Sequence, residues 1–141
     1  MTTEKDGCLY FDGYKLIKDT LDCVPMNGKY VVNTISPNSY GLSVKDQDMN
    51  DALKGADFLI LDGVYFGWLP WFRDGKKARR ITGWDCFMYF ARKLNESSGK
   101  MFLLGSTEKT LSQMKVNMAR DFPNVKVKTY SPPYKPVFSD E

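Results

Sequence analysis

Three short polar or glycine-containing segments follow apolar runs, at positions where an α/β protein would place a ligand site. They contain Thr34, Ser36 and Asn38, then Asp62 and Gly63, and then Gly105 and Ser106. The carboxylate of Asp62 is a candidate general base, and the hydroxyl and amide groups are candidate hydrogen-bond donors. A glycine turn that leads into a helix favours an anion such as phosphate. Together the three segments suit a nucleotide or a nucleotide sugar.

Each segment also has a purely structural interpretation, because Asp-Gly is most often a turn and Gly-Ser-Thr before a helix is most often a cap. The sequence contains no histidine, which excludes a serine–histidine pair and a histidine base. Its three cysteines are widely spaced and match neither a disulfide framework nor a zinc site. A net charge of +3 is too small to indicate nucleic-acid binding. We predict no required metal ion or other cofactor, because we identify no Asp-x-Asp metal motif in the sequence.

Alternating strands and helices must position these groups. Apolar runs predict strands at residues 29–35, 57–61, 100–104 and 125–130, and the first three are nearly continuous, as in parallel strands buried on both faces. Helical periodicity covers residues 43–54, 84–94 and 108–121. Thr82 and Asp85 fit a capping box at the start of the second helix, and Ser106 or Thr107 fits the N-cap of the third. We therefore predict an α/β, Rossmann-like fold with one mostly parallel sheet, helices on both faces, and Asp62 and Gly105 at one edge.

The domain organisation is expected to be an irregular or hairpin-like preface over residues 1–28 and an α/β domain over residues 29–141. Residues 64–82 combine two tryptophans, Trp68 and Trp71, with a run of cations. The cations are Arg73, Lys76, Lys77, Arg79 and Arg80. Such a run is usually a solvated face, but it also suits anionic lipid headgroups. The last residues resemble the beginning of another helix, so we expect the α/β domain to be incomplete.

Five blocks occur in order and carry a family resemblance. They are YVVNTISPNSYGLSVKD, ALKGADFLILDG, RRITGWDCF, GKMFLLGS and FPNVKVKTYSPPYKPVFSDE. From about residue 28 to the last residue, the chain resembles the N-terminal portion of the WecG/TagA/CpsF glycosyltransferases. Members of that family continue with a further α/β segment, which contains a P-K-Q-E-like block, and a basic tail.

The resemblance implies an inverting transfer of an N-acetylmannosamine-type sugar from a UDP donor to a polyprenyl-diphosphate-linked N-acetylglucosamine. It implies a peripheral location at the cytoplasmic face of the membrane and permits a homo-oligomer. Asp62 matches the family's proposed base, and Thr34 matches the Thr of a Thr-x-Asn motif. Ser36 stands at the Asn position of that motif, which is a departure from the family, and Asn38 lies close by. The resemblance implies that Arg80 contacts a phosphate group of the substrate. It also implies that Asp85 lies in the substrate site, although a charge that stabilises the N-terminus of a helix explains Asp85 at least equally well. The alternative is a non-catalytic nucleotide-binding or assembly module.

Overall fold

The computed structural model describes residues 2–63, 75–76 and 78–134, which form parts of two compact units. The first unit, residues 1–86, contains strands β1 to β5, a short 3-10 helix and two helices. These are β1 Thr3–Lys5, β2 Cys8–Phe11, β3 Tyr14–Ile17, the 3-10 helix Leu21–Cys23, β4 Val32–Ile35, α1 Pro37–Ser43, α2 Gln47–Lys54 and β5 Phe58–Leu61. Helix α3, Gly83–Glu96, begins in this unit. The second unit continues with β6 Lys100–Leu104, α4 Glu108–Asp121 and β7 Lys126–Tyr130.

The N-terminal segment consists of two β-hairpins. Asp6-Gly7 and Asp12-Gly13 each place two consecutive residues at positive φ, as a type I′ turn requires, and this turn matches the twist of antiparallel strands. Strand β3 then pairs in parallel with β5 through Leu16 and Leu59. The first sheet therefore has the order β1-β2-β3-β5-β4, and the N-terminal strands share it with the parallel strands.

One core cluster of the first unit lies on one face of this sheet. Leu59 and Leu61 of β5 alternate onto that face and pack with Ile35 of β4 and Leu53 of α2, all of them buried. Strands β4 and β5 are parallel, with Ile35 opposite Leu61. The carboxyl-terminal ends of the two strands therefore lie side by side, at the same edge of the sheet.

The helix predicted over residues 43–54 begins at Gln47 in the structure, and a second helix that was not predicted, α1, precedes it. Ser36 begins α1 with a capping box, and Pro37 occupies the first turn, where its missing N–H costs nothing. Asp46 then begins α2, because its side chain accepts a hydrogen bond from the Met49 backbone N–H at 3.1 Å. Residues 36–38, which we predicted only as part of a polar strand end, are therefore the N-cap and first turn of a helix.

The second unit is built on the parallel pair β6–β7, with Leu104 opposite Tyr130. Its core contains Ala91 of α3, Met118 of α4 and Val125, and it packs against one face of the pair. The α/β class with mostly parallel pairing is confirmed. The prediction of one sheet is wrong for the described strands, because they form two hydrogen-bonded sheets. Strand β6 is also not buried on both faces, since its residues alternate between half-buried and exposed.

None of the helices in the described ranges is long and apolar enough to cross a membrane.

Candidate functional site

Asp62 is the first residue after β5, and its backbone is fixed by the neighbouring strand. The Asp62 N–H donates to the Ile35 carbonyl oxygen at 2.9 Å, which continues the parallel β4–β5 pairing by one residue. The carboxylate thus extends from a rigid strand end and is half-buried. This is the position where ligands bind in open α/β sheets.

Gly63 brings the chain close to the start of α1. Its φ is 122°, and a Cβ added there would lie 2.8 Å from Cδ of Pro37. Glycine is required both by this positive φ and by the lack of room for a side chain beside Pro37. The Asp-Gly pair is therefore a tight turn, and this turn keeps the carboxylate beside the strand end. The structural and the functional interpretations of the pair are compatible.

Arg80 forms an ion pair with Asp62, with 3.3 Å between Nε and Oδ1. The backbone on either side of Arg80 is anchored to the first sheet. Arg79 N–H donates to the Lys18 carbonyl at 2.6 Å, and Ile81 N–H donates to the Leu61 carbonyl at 2.9 Å. The buried side chain of Ile81 adds an apolar anchor. Asp62 and Arg80, which are 18 positions apart in sequence, are thus held together by backbone contacts that cannot be seen from the sequence motifs.

The Asp62–Arg80 pair is open to solvent. The side chains of Arg80 and Asp62 are 52% and 39% exposed, so water and salt weaken their attraction. Among the described residues, no acceptor is bonded to the terminal nitrogens of this guanidinium. The pair therefore offers a carboxylate and, beside it, positive charge that an incoming anion can use.

The three polar residues near the end of β4 are placed differently from one another. Thr34 is exposed and lies opposite Ile60 of β5. Ser36 caps α1, because its Oγ accepts from the Ser39 N–H at 3.2 Å and its own N–H donates to Ser39 Oγ at 2.8 Å. Asn38 is exposed in the first turn of that helix. Thr34 and Asn38 are accessible to a ligand at this edge, whereas the hydroxyl of Ser36 already serves the helix. Ser39 is the partner that sequence inspection missed, although its position three residues after Ser36 is the capping-box spacing.

Asp85 forms the predicted capping box with Thr82. Its Oδ2 accepts from the Thr82 N–H at 2.9 Å and from the Thr82 hydroxyl at 2.6 Å. In return, the Asp85 N–H donates to Thr82 Oγ1 at 3.1 Å. These hydrogen bonds from Thr82, side chain first, lower the pKa of the Asp85 carboxyl, with smaller contributions from Arg79 and Arg80. The capping function is confirmed, and a contact with substrate stays a prediction.

Gly105 and Ser106 form the turn between β6 and α4 in the second unit. Gly105 N–H donates to the Tyr130 carbonyl at 3.0 Å, and Ser131 Oγ donates to the Ser106 carbonyl at 2.6 Å. Thr107 is the N-cap of α4, with Oγ1 accepting from the Thr110 N–H. Asp62 follows a strand of the first sheet and Gly105 follows a strand of the second, so the prediction that both lie at one edge of a single sheet is wrong for the described strands. A ligand site shared by the two residues stays a prediction.

The cationic run is only partly described. Trp68, Trp71, Arg73 and Lys77 lie outside the described residues, as does the helix expected after residue 137. Lys76 donates through Nζ to the Thr2 carbonyl at 2.9 Å, so this lysine has a structural contact. The expected membrane contact of residues 64–82 stays a prediction.

An Asp-x-Asp spacing does occur at residues 46–48, away from the strand ends. Asp46 is the N-cap of α2, which explains the first carboxylate without a metal. Within the described ranges, no group of three or more His, Cys, Asp or Glu side chains is arranged to hold a metal ion.

A separate open depression of about 210 Å³ lies beside α1 and α2. Its wall includes Tyr14, whose hydroxyl donates to Asn50 Oδ1 at 2.8 Å and lies 3.2 Å from Ser43 Oγ. Tyr14 begins β3, whereas Asp62 follows the end of the parallel strand β5. The depression is therefore at the opposite end of these strands from the Asp62 edge.

Comparison with known proteins identifies the family of the chain. The model of the glycosyl transferase WecG/TagA/CpsF family matches residues 11–141. The chain belongs to this family. A Bacillus subtilis (strain 168) N-acetylglucosaminyldiphosphoundecaprenol N-acetyl-beta-D-mannosaminyltransferase is 25% identical over 104 residues, covering 74% of the chain and 41% of the relative. The enzyme of the same name from Bacillus spizizenii (strain ATCC 23059 / NRRL B-14472 / W23) is 23% identical over 107 residues, covering 76% and 41%.

The chain thus spans about two fifths of the length of the curated WecG/TagA/CpsF relatives that it matches. Within this family segment, the structure brings together Asp62, Gly63 and Arg80, with Thr34 and Asn38 near the same strand ends. The half-buried carboxylate can accept a proton, and the guanidinium beside it can bind an anion.

Proposed function

We propose that this chain supplies the base-bearing part of an inverting glycosyltransferase. The reaction is transfer of an N-acetylmannosamine-type sugar from a UDP donor to undecaprenyl-diphosphate-linked N-acetylglucosamine, in the assembly of teichoic acid or another cell-surface polysaccharide. The observation that carries the proposal is the pairing of Asp62 with Arg80 at 3.3 Å at the carboxyl end of β5. The names of the two Bacillus relatives support the sugar and the acceptor.

In the proposed mechanism, Asp62 accepts the proton of the attacking hydroxyl. The acceptor hydroxyl oxygen forms a bond to the anomeric carbon from the face opposite the leaving group, which inverts the configuration. The bond between that carbon and the diphosphate oxygen breaks, and UDP leaves with the electron pair. Proton transfer from the hydroxyl to the carboxylate keeps the charges balanced.

Arg80 has the complementary task of stabilising the negative charge on the departing diphosphate. Because the diphosphate leaves from the face opposite the attacking hydroxyl, the exposed Arg80 side chain turns from Asp62 towards it when the substrates bind. A cation there favours the transition state, because charge grows on the leaving group as the bond breaks. The backbone anchors at Arg79 and Ile81 reduce the reorganisation that Arg80 requires. Thr34 and Asn38 are accessible donors for hydroxyl or amide groups of the sugars.

Because the proposed acceptor is linked to a lipid, we expect the reaction at the cytoplasmic face of the membrane, with the protein in peripheral contact. The proposed mechanism uses no divalent ion, since Arg80 supplies the positive charge for the leaving group. A homo-oligomer is compatible with this scheme.

The test is a transfer assay on the protein encoded by the complete reading frame that contains these residues. UDP-N-acetylmannosamine and a soluble lipid-diphosphate N-acetylglucosamine analogue are the substrates, assayed with and without EDTA. Arg80→Ala should lower kcat/KM by roughly 10²-fold or more, as for removal of one transition-state donor. Arg120→Ala is the matched control, because Arg120 is also exposed and paired, with its neighbour Asp121.

The alternative function is a non-catalytic nucleotide-binding or assembly module. A nucleotide-binding or assembly module would bind the UDP sugar in calorimetry but give no transfer product. Transfer that depends on Arg80 but not on Arg120 supports the enzyme. Equal activity of the two variants would remove Arg80 from the mechanism.

A further inference from the structure

Two of the three cysteines come together in the first unit, although they lie 15 positions apart in sequence. Cys8 of β2 donates a weak hydrogen bond through its Sγ to Cys23 Sγ at 3.9 Å. Cys8 is fully buried, Cys23 is half-buried, and both are free thiols. The two sulfurs lie about 2 Å farther apart than the sulfurs of a disulfide, a distance that a change of side-chain rotamer covers.

The backbone around both cysteines is fixed. Cys8 lies opposite Ile17 in the β2–β3 pairing, and the Gly7 carbonyl accepts the Lys18 N–H at 3.0 Å. Cys23 ends the 3-10 helix and packs over Gly7 so closely that a Cβ added to this glycine would lie 3.2 Å from Cys23 Cβ. The two thiols therefore meet in the folded state, and joining them orders little additional chain.

The two thiols differ in accessibility and acidity. Burial, first, and then the neighbouring Cys23 raise the pKa of the Cys8 thiol to about 11. Because the thiolate is the form that attacks a disulfide, Cys8 is unreactive towards a soluble reagent. Cys23 is reachable from solvent and reacts first. Once Cys23 is held in a mixed disulfide it carries no charge, so its electrostatic contribution to the raised pKa of Cys8 disappears.

We propose that Cys8 and Cys23 form a redox modification site, at which an oxidised low-molecular-weight thiol such as glutathione disulfide converts the pair into an intramolecular disulfide. The Cys23 thiolate attacks one sulfur of glutathione disulfide, which forms a mixed disulfide and releases a glutathione thiolate. Cys8 gives its proton to this thiolate, and its sulfur bonds to Cys23 Sγ. The second glutathione leaves with the electron pair and takes a proton from water. The two protein thiols lose two electrons, and glutathione disulfide becomes two glutathione molecules.

The cross-link would join β2 to residues 18–23. In this segment the Lys18 carbonyl accepts the Arg79 N–H at 2.6 Å. A disulfide that closes a loop of about 15 residues stabilises a fold, chiefly by restricting the unfolded chain. Because Cys23 is half-buried, reducing thiols can reach the bond and reverse the modification. This inference does not depend on the proposed function.

Peptide mass spectrometry tests the proposal on the folded protein encoded by the complete reading frame, after incubation with glutathione disulfide. Free thiols are alkylated before digestion with trypsin. Trypsin places Cys8 in the peptide of residues 6–15 and Cys23 in that of residues 19–29, because Lys15 and Lys18 lie between them. We expect these two peptides to be linked and dithiothreitol to separate them. The melting temperature should rise by about 5 °C or more on oxidation.

Three variants make the result interpretable. Cys86→Ser is the matched control, because Cys86 is also a half-buried free thiol, and it should keep both the linked peptides and the rise in melting temperature. Cys23→Ser should lose both. Cys8→Ala lacks the second thiol, so glutathione should stay attached to Cys23. Cys23→Ser carries the test by itself if loss of the buried Cys8 side chain unfolds the protein.

Several results would overturn the proposal. Glutathione adducts without a link between the two peptides would show that Cys8 does not reach Cys23. A link that forms only in urea would show that the folded chain keeps the sulfurs apart. Disulfide-linked dimers on a non-reducing gel, in place of the internal link, would identify a reaction between two copies. An equal rise in melting temperature for the wild type and Cys23→Ser would assign that rise to another group.

Discussion

Replacement of Asp62 by Asn separates the chemical function of this residue from its structural one. The backbone hydrogen bond from residue 62 to the Ile35 carbonyl is independent of the side chain and remains. What is lost is the ion pair with Arg80, in which the two side chains are 52% and 39% exposed. Exposed pairs of this kind contribute about 0.2–1 kcal/mol to the free energy of unfolding. The melting temperature should therefore fall by about 4 °C at most.

The effect on the reaction should be far larger. Asn is nearly isosteric with Asp but cannot accept a proton, and loss of a general base typically reduces the rate by roughly 10²–10⁴-fold. We expect kcat for transfer from UDP-N-acetylmannosamine to the lipid-diphosphate N-acetylglucosamine analogue to fall by this amount. Affinity for the UDP sugar, measured by calorimetry, should stay within about threefold of the wild type, because the diphosphate is assigned to Arg80 rather than to the carboxylate.

Activity of Asp62→Asn within about threefold of the wild type would refute the assignment of Asp62 as the base, since Asn serves an Asp-Gly turn almost as well. Asp62→Glu provides a second measurement. It retains a carboxylate but moves it by one methylene, so it should recover part of the lost rate if the residue is a base. No recovery, together with a melting temperature lowered by much more than the ion pair explains, would make the residue structural.

Three other substitutions test the surrounding framework. Gly63→Ala should lower the free energy of unfolding by about 1–3 kcal/mol in urea denaturation, because of its positive φ and the proline ring 2.8 Å from the new Cβ. Gly41→Ala, in helix α1 where no atom lies within 4 Å of the new Cβ, should instead stabilise the protein by up to about 1 kcal/mol. Equal changes in the free energy of unfolding for Gly63→Ala and Gly41→Ala would refute the strain argument. Tyr14→Phe removes a buried hydroxyl with two partners and should cost about 1–2 kcal/mol, whereas Tyr134→Phe, at an exposed position, should cost nothing measurable. Asp85→Ala should lower the melting temperature at pH 7. Because folding lowers the pKa of this carboxyl, its stabilisation is complete above the unfolded pKa of about 3.9 and is lost as the pH falls through the folded value. The melting temperatures of wild type and variant should converge as the pH falls below the unfolded pKa, and a difference that does not change with pH would contradict the capping account.

The local elements of this protein could be predicted from the sequence because their signals are short-range. Strands β4, β5, β6 and β7 lie within the predicted ranges, and α4 coincides with its predicted range of residues 108–121. The capping box of Thr82 and Asp85 was also predictable, since both partners lie within one helical turn. The blocks that resemble the WecG/TagA/CpsF family were sufficient to predict the family that the comparison shows.

Burial of a strand on both faces could not be predicted in the same way. The run KMFLL is nearly continuous in apolar character, yet Phe102 and Leu104 are exposed in the structure. Composition reports what a strand is able to bury, whereas actual burial depends on which element packs on each face. The same limit applies to strand pairing, because apolar runs of similar length do not identify their hydrogen-bonding partners, and the described strands form two sheets.

For the candidate site, the sequence by itself identified Asp62 as a carboxylate at a strand end and Arg80 as a cation with a family match. Only the tertiary structure brought the two together at 3.3 Å, through backbone bonds from Arg79 to Lys18 and from Ile81 to Leu61. It also showed that Gly63 is required by its contact with Pro37. The physical reason is distance along the chain: residue type and local spacing are encoded within a few positions, whereas these contacts join residues that become neighbours only when β3, β4 and β5 pair.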